Sequence, residues 1–237
     1  MKKSSALRRI IVAALFCMLP LGAQAGGSLK DEPVSYSAQN WTGMYVGGQV
    51  GYGWGTNSYT YTVIPETTDN EMDGFVSGLT VGGNWQHDSI VFGLEGDISF
   101  SDLSGRRNTS ANPDPTTPCL TTGEGCSADV AWFGTLRARL GLAAGNWMPF
   151  ITGGLAFGKV KGSADLGACG FTPICEFDDT RFGWTVGGGS EFAFDKNWSA
   201  KVEYLYVNLG SPSFTTATVQ SDNVDFSVGR AGLNYRF

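Results

Sequence analysis

The stretch IVFGLEGDISF, residues 90–100, alternates: Ile90, Phe92, Leu94, Ile98 and Phe100 share one parity, and Glu95, Asp97 and Ser99 share the other. Strict alternation over this length predicts a strand with one apolar and one polar face. The stretch VAWFGTLRARLGL, residues 130–142, repeats it. Val130, Trp132, Leu136, Leu140 and Leu142 hold the apolar parity, and Thr135, Arg137 and Arg139 hold the polar one. On a helix the same charges would interrupt the apolar stripe.

Applied to the whole chain, the test yields eight candidate strands, at approximately 42–55, 74–86, 90–101, 129–143, 148–160, 181–194, 198–209 and 223–237. The connections alternate in length. Gln86 to Ser89, Ala144 to Asn146 and Asp195 to Asn197 read as tight turns, whereas 56–73, 102–128, 161–180 and 210–222 read as long loops. An even number of antiparallel strands with short turns at one end and long loops at the other is the plan of a bacterial outer-membrane barrel, turns toward the periplasm. The predicted fold is therefore an all-β, eight-stranded antiparallel up-and-down transmembrane barrel over residues 41–237.

Tryptophan placement bears on this independently. Trp85, Trp147 and Trp198 adjoin short turns and Trp41 precedes the first strand, while Trp54, Trp132 and Trp184 adjoin long loops. Two aromatic levels are what two membrane interfaces require. From Trp184 to Trp198 the strand would rise roughly 35 Å, which covers the apolar band and its flanks. Trp41 does not share its strand's apolar parity and is expected outside the barrel.

The polar faces, assigned to the lumen, carry Glu95, Asp97, Arg137, Arg139, Glu191, Lys201, Glu203 and Arg230. Four acids and four bases can neutralise one another, as charges inside a narrow barrel must. A switchable gate is the functional reading of this set. A fixed network filling the interior is the structural one, since eight strands enclose little more than their own side chains. A lipocalin-like soluble barrel would reverse the parity, with charges outside. The Trp levels, the balanced charges and a chain that closes on Phe237 favour the membrane form.

The N-terminus bounds the route. Lys2, Lys3, Arg8 and Arg9 precede an apolar run from Ile10 to Leu21 that leads to Ala23, Gln24 and Ala25. The run is about a dozen residues against the ~20 of a spanning helix, so residues 1–25 are expected to be a secretory signal peptide cleaved after Ala25. Residues 26–40 would then form a periplasmic segment. Phe16 before Cys17 argues against a lipoprotein. Cleavage removes four of 16 basic residues and none of 22 acids, taking the formal charge from −6 to −10. Such acidity argues against nucleic-acid binding. With 34 Gly, 7 Trp, 8 Tyr and 15 Phe the chain has no collagen period, and its aromatics argue against disorder.

Cysteines 119 and 126, and 169 and 175, fall pairwise in two expected loops. Local disulfides Cys119–Cys126 and Cys169–Cys175 are the simplest of three connectivities in an oxidising compartment. Zinc is the rival, but neither loop offers a histidine or a CxxC spacing. His87, the single histidine, sits by a turn without a nucleophile in view, so no catalytic residue, cofactor or metal is assigned. The glycine clusters VGGQVGYGWG and VGGGSEF lack a Walker lysine and a following helix. Tyr59 and Tyr61 in the first expected loop, and Arg106 and Arg107 in the second, are candidates for contact with haem, lipopolysaccharide or a host protein.

WTGMYVGGQVGYGWG at 41–55, PFITGGLAFG at 149–158, GWTVGGGSEFAF at 183–194, NWSAKVEYLYVNLG at 197–210 and the closing VGRAGLNYRF at 228–237 resemble the small outer-membrane proteins of alphaproteobacteria. These are the porin-family or outer-membrane immunogenic proteins, with an OmpA-type eight-stranded barrel domain. The resemblance implies an outer-membrane location and contact with outer-membrane lipid and lipopolysaccharide. It further implies recognition by the barrel-assembly machinery through a C-terminal aromatic, here Phe237 with Tyr235. It covers the strands and none of the loops. Two roles follow as expectations: a structural barrel for the envelope with at most a narrow pore, or a loop-borne receptor or adhesin, with haem as one ligand.

Overall fold

The computed structural model describes residues 39–61, 67–106, 127–165, 174–210 and 219–237. The expected signal peptide, most of residues 26–40, Arg107, Cys119, Cys126 and Cys169 lie outside them. The described strands are β1 (Gly43–Tyr61), β2 (Thr67–His87), β3 (Ile90–Arg106), β4 (Ser127–Leu142), β5 (Trp147–Asp165), β6 (Ile174–Ala193), β7 (Trp198–Asn208) and β8 (Val219–Arg236). Each pairs antiparallel with the next, and β8 pairs with β1 from Tyr45↔Arg236 to Tyr61↔Val219, closing the barrel. Closure leaves no unpaired strand edge, which a hydrocarbon environment requires.

At the turn end, β2 and β3 are joined through Asp88, whose φ of 53° is left-handed, and β4 and β5 through Gly145 at φ 63°. Both are short-turn positions that Asp and Gly occupy at low steric cost. At the loop end the strands outrun the apolar alternation from which their limits were expected. β1 continues to Tyr61, so Tyr59 and Tyr61 are strand residues, pairing with Thr68 and Val219 respectively, and Arg106 closes β3 opposite Ser127. Cys175 likewise belongs to β6, opposite Ala164. Backbone pairing needs only a facing partner, so the ladder persists where side-chain periodicity has stopped.

The reason the periodicity stops is an inversion of polarity. Along the middle of the wall the outward residues are apolar and exposed, as with Leu79, Leu94, Ile98, Leu136, Ile151, Leu155 and Val202. Above Trp54, Phe75, Phe100 and Trp184 the outward positions become Asp73, Asp102, Ser104, Lys161 and Thr180. The inward positions are instead Met72, Leu103, Val130, Leu209 and Phe226 at and above that level and Val76, Phe133, Leu205, Val207 and Val228 just turnward of it, all buried in one cluster. Val130 was expected outward. The β4–β5 register shifts between Val130 and Trp132, a bulge that lets Val130 and Phe133, of opposite parity, both face in.

Six tryptophans lie on the outer wall, five of them exposed. Trp198 stacks edge-on against Tyr235, 5.1 Å between centroids, and Tyr235 against Phe237 at 5.3 Å. Trp184 meets Tyr206 at the opposite level. Trp41 departs from this arrangement, because it is fully buried at the turn end with Val91, Met148 and Ala193. Its expected place outside the barrel is corrected: a ring that lacks the lipid-facing parity still has a lumen to fill.

Candidate functional site

The eight charges assigned to the lumen are all buried, each between 1% and 7% exposed. They converge because residues two apart on a strand share a face, so Glu95 with Asp97, Arg137 with Arg139, and Lys201 with Glu203 enter the lumen side by side. Register then sets opposite charges across strand boundaries. Glu95 faces Arg137, Glu191 faces Lys201 and Glu203 faces Arg230. Cross-strand opposite charges are favourable neighbours.

Arg137 is the hub. Its guanidinium donates to Glu95, to Asp97 at 3.1 Å and to Glu203 at 2.9 Å. Arg230 joins Glu203 at 2.8 Å to Asp97 at 3.0 Å. Lys201 reaches across to Glu95 and Glu203, both at 2.9 Å. Arg139 pairs with Glu191 and lies 3.8 Å above the ring of Phe150. Neutral donors complete the acids: Tyr45 Oη donates to Glu95 at 2.6 Å, Thr135 Oγ1 to Asp97 at 2.5 Å, and Ser199 Oγ and Asn234 Nδ2 to Glu191 at 2.6 and 2.9 Å. A buried ion pair offsets its desolvation only when further hydrogen bonds satisfy both partners, and here they do so for the acids.

Glycine opposite the charges permits close approach of strand and side chain. Gly154 faces Arg137, and a Cβ there would strike the backbone of Leu136 and Arg137. Gly82 faces Glu95, and a Cβ there would strike the ring of Tyr45.

Chemically the arrangement holds charge in fixed pairs. His87, the last residue of β2, is exposed and 3.9 Å from the Asp88 carboxylate, far from the belt in the chain's architecture. Among the described residues no group of three or more His, Cys, Asp or Glu could hold a metal ion. Cys175 is placed on β6, and the cysteine pairings otherwise fall outside the described residues.

Residues that alternation alone did not assign complete the lumen. Ser199 and Asn234 share the charged parity on their strands, a signal that was present but carried no charge to mark it, whereas Tyr45 shares its face with Gln49 on β1, a strand without any charge. Arg236 shares the parity of Arg230 and is 5% exposed. Its Nη1 donates to the Asn40 carbonyl at 2.6 Å and its guanidinium lies 4.9 Å from the Trp41 ring. Three levels thus stack along the lumen: the Trp41 cluster at the turn end, the charged belt, and the apolar cluster at the loop end.

Residues 11–237 match the family described as outer membrane protein beta-barrel domain. The chain is 34% identical to the 31 kDa outer-membrane immunogenic protein of Brucella melitensis, over 98% of this chain and all of that protein. It is 29% identical to the 25 kDa outer-membrane immunogenic protein of the same organism, over 96% of this chain and 97% of that one. Among solved structures it is similar to Neisserial surface protein A, with a TM-score of 0.45 and 15% identity, over 83% of this chain and 98% of that one.

Proposed function

This chain belongs to the outer membrane protein β-barrel family and is an outer-membrane barrel, and on that premise we propose that it serves the envelope as a closed structural barrel that carries its loops outward without conducting. The observation that supports this reading is the filled lumen. An eight-stranded barrel is just wide enough for its own side chains. Here the interior is occupied at three successive heights, by Trp41 with Met148, by the belt around Arg137, and by Phe133 against Phe226, whose ring centroids are 5.1 Å apart. A water-filled path would have to displace all three.

Two measurements on one preparation test it. Folded protein reconstituted in planar bilayers is expected to show no stable channel steps, and a large persistent conductance would refute the closed-barrel reading. In cells lacking the protein, a version with the 107–126 segment shortened is expected to restore resistance to detergent entry. Restoration only by the full-length loops would transfer the role to a loop-borne binding function.

A further inference from the structure

Residues 39–42 cross the turn end of the barrel and bond to β2, β8 and the β4–β5 and β6–β7 turns. The Trp41 amide donates to Gln86 Oε1 at 2.8 Å, and the Gln86 amide donates to Thr42 Oγ1 at 3.0 Å, tying the segment to the end of β2. Trp41 Nε1 donates to the Gly145 carbonyl in the β4–β5 turn at 3.3 Å. Gln39 Nε2 donates to the Lys196 carbonyl in the β6–β7 turn at 3.4 Å. On β8, Arg236 holds the Asn40 carbonyl and covers the Trp41 ring. The Trp41 side chain, 0% exposed, sits in one cluster with Val91, Met148 and Ala193, and Ala143 packs against it.

These partners come from β2, β3, β5, β6, β8 and the β4–β5 and β6–β7 turns, so the full contact set exists only on a closed barrel. The Phe237 amide donates to the Met44 carbonyl at 3.0 Å across the β1–β8 seam, and the Arg236 amide donates to the Asn197 carbonyl at 2.7 Å beside β7, so Arg236 and Phe237 tie the end of β8 to both of its neighbours. An indole with its N–H satisfied and its face against a guanidinium is a well-anchored stopper.

We propose that residues 39–42 form a strap, with Trp41 as its stopper, that closes the turn end of the lumen and fastens the β1–β8 seam, shielding the charged belt from periplasmic water. This rests on the closed-lumen reading but assigns the seal at one end to one segment. Because the apolar cluster closes the opposite end separately, releasing the strap opens the belt to one side only. Labelling without conductance is its signature.

The test uses full-length folded protein carrying Ala193→Cys, alone and combined with Trp41→Ala, Trp41→Phe or Arg236→Gln, with folding checked by heat-modifiable gel mobility. A water-soluble maleimide is added, and modification at position 193 is read by peptide mass mapping, so the other cysteines do not interfere. With Trp41 in place, labelling is expected to require local opening. Trp41→Ala is expected to accelerate it about a hundredfold, as a site reached only through local opening becomes open in the native state. Trp41→Phe is expected to retain most protection, and Arg236→Gln to fall between, which keeps the test decisive even where Trp41→Ala fails to fold. Rapid labelling with Trp41 present, or protection that persists in both Trp41→Ala and Arg236→Gln, would overturn the strap. Bilayer recordings on the same samples separate the readings, since conductance in the unaltered protein refutes the closed lumen whatever the labelling shows.

Discussion

The two parts of the lumen either side of Thr135 are filled by opposite chemistry. Below it lies the belt of Arg137, Glu95, Asp97, Glu203, Lys201 and Arg230, and above it the cluster of Phe133, Phe226, Leu205, Val207 and Met72. The outer wall changes later than the lumen does, from Leu94 and Leu136 around the belt, through Phe75, Phe100 and Tyr204 beside the lower part of the cluster, to Asp73, Asp102 and Ser104 around its upper part. What surrounds the wall decides what fills it. Where the wall meets hydrocarbon, moving an apolar side chain from outside to inside gains nothing, because lipid tails are as apolar as leucine. There the interior can be held by directional ion pairs. Where the wall meets water, the hydrophobic effect returns and draws the apolar residues inward, as in a soluble barrel.

The strongest way to break this contrast is to remove the hub of the belt. Arg137→Ala leaves Glu95, Asp97 and Glu203 sharing fewer cations in a space where each bond was already committed. Breaking a buried network by deleting one partner costs about 3–5 kcal/mol, and urea unfolding from detergent micelles should show a loss of that order. Adding Glu203→Gln restores neutrality, so the double variant is expected to lose clearly less than the sum of the two singles. Strict additivity would mean that the belt is filler and not a coupled network.

Moving one charge along one strand probes the outer wall. Leu94 and Ser104 both lie on the outward face of β3, the first beside the belt and the second beyond the aromatic level. Leu94→Lys places an ammonium near the middle of the apolar band, at a cost of about 2–4 kcal/mol. Ser104→Lys is expected to stay within about 0.5 kcal/mol of the parent, as surface substitutions do. Equal costs for the two lysines would place the membrane boundary elsewhere than at the inversion.

Sequence periodicity reached the belt but not the cluster, for a reason visible in β7. Up to Glu203 one parity is charged and the other apolar, so the two faces are distinguishable. From Tyr204 to Leu209 the inward Leu205, Val207 and Leu209 alternate with the outward Tyr204 and Tyr206, both faces are apolar, and the period-two contrast vanishes. In β4 the bulge at Val130 and Trp132 moves Val130 to the other face, which no local count detects. The strap was beyond reach for a different reason. Its central pairing, Arg236 over Trp41, joins the residues that precede β1 and end β8, far apart in sequence and brought together only by closure. Nothing in the four residues before β1 announces a burial supplied by Val91, Met148 and Ala193, two turns and the last strand.

The finest test compares one substitution on the two kinds of surface. Leu136 faces outward beside the belt, more than half exposed, whereas Leu205 is 0% exposed within the loop-end cluster. Leu→Ala at 136 removes hydrocarbon contact that lipid tails can refill, so only the transfer contribution is lost, about 2 kcal/mol at ~0.8 kcal/mol per methylene. At 205 the space is walled by Val207, Phe226 and their neighbours, which relax only partly, and a cavity contribution adds to the transfer loss. Leu205→Ala is therefore expected to cost about 1–2 kcal/mol more than Leu136→Ala, read as the difference between two unfolding curves in the same lipid. The difference should grow for Leu205→Gly and stay small for Leu205→Met, because a flexible side chain of similar volume refills the site. If the two alanine variants lost equal stability, lipid or water would already reach Leu205, and the loop-end cluster would be a vestibule and not a core.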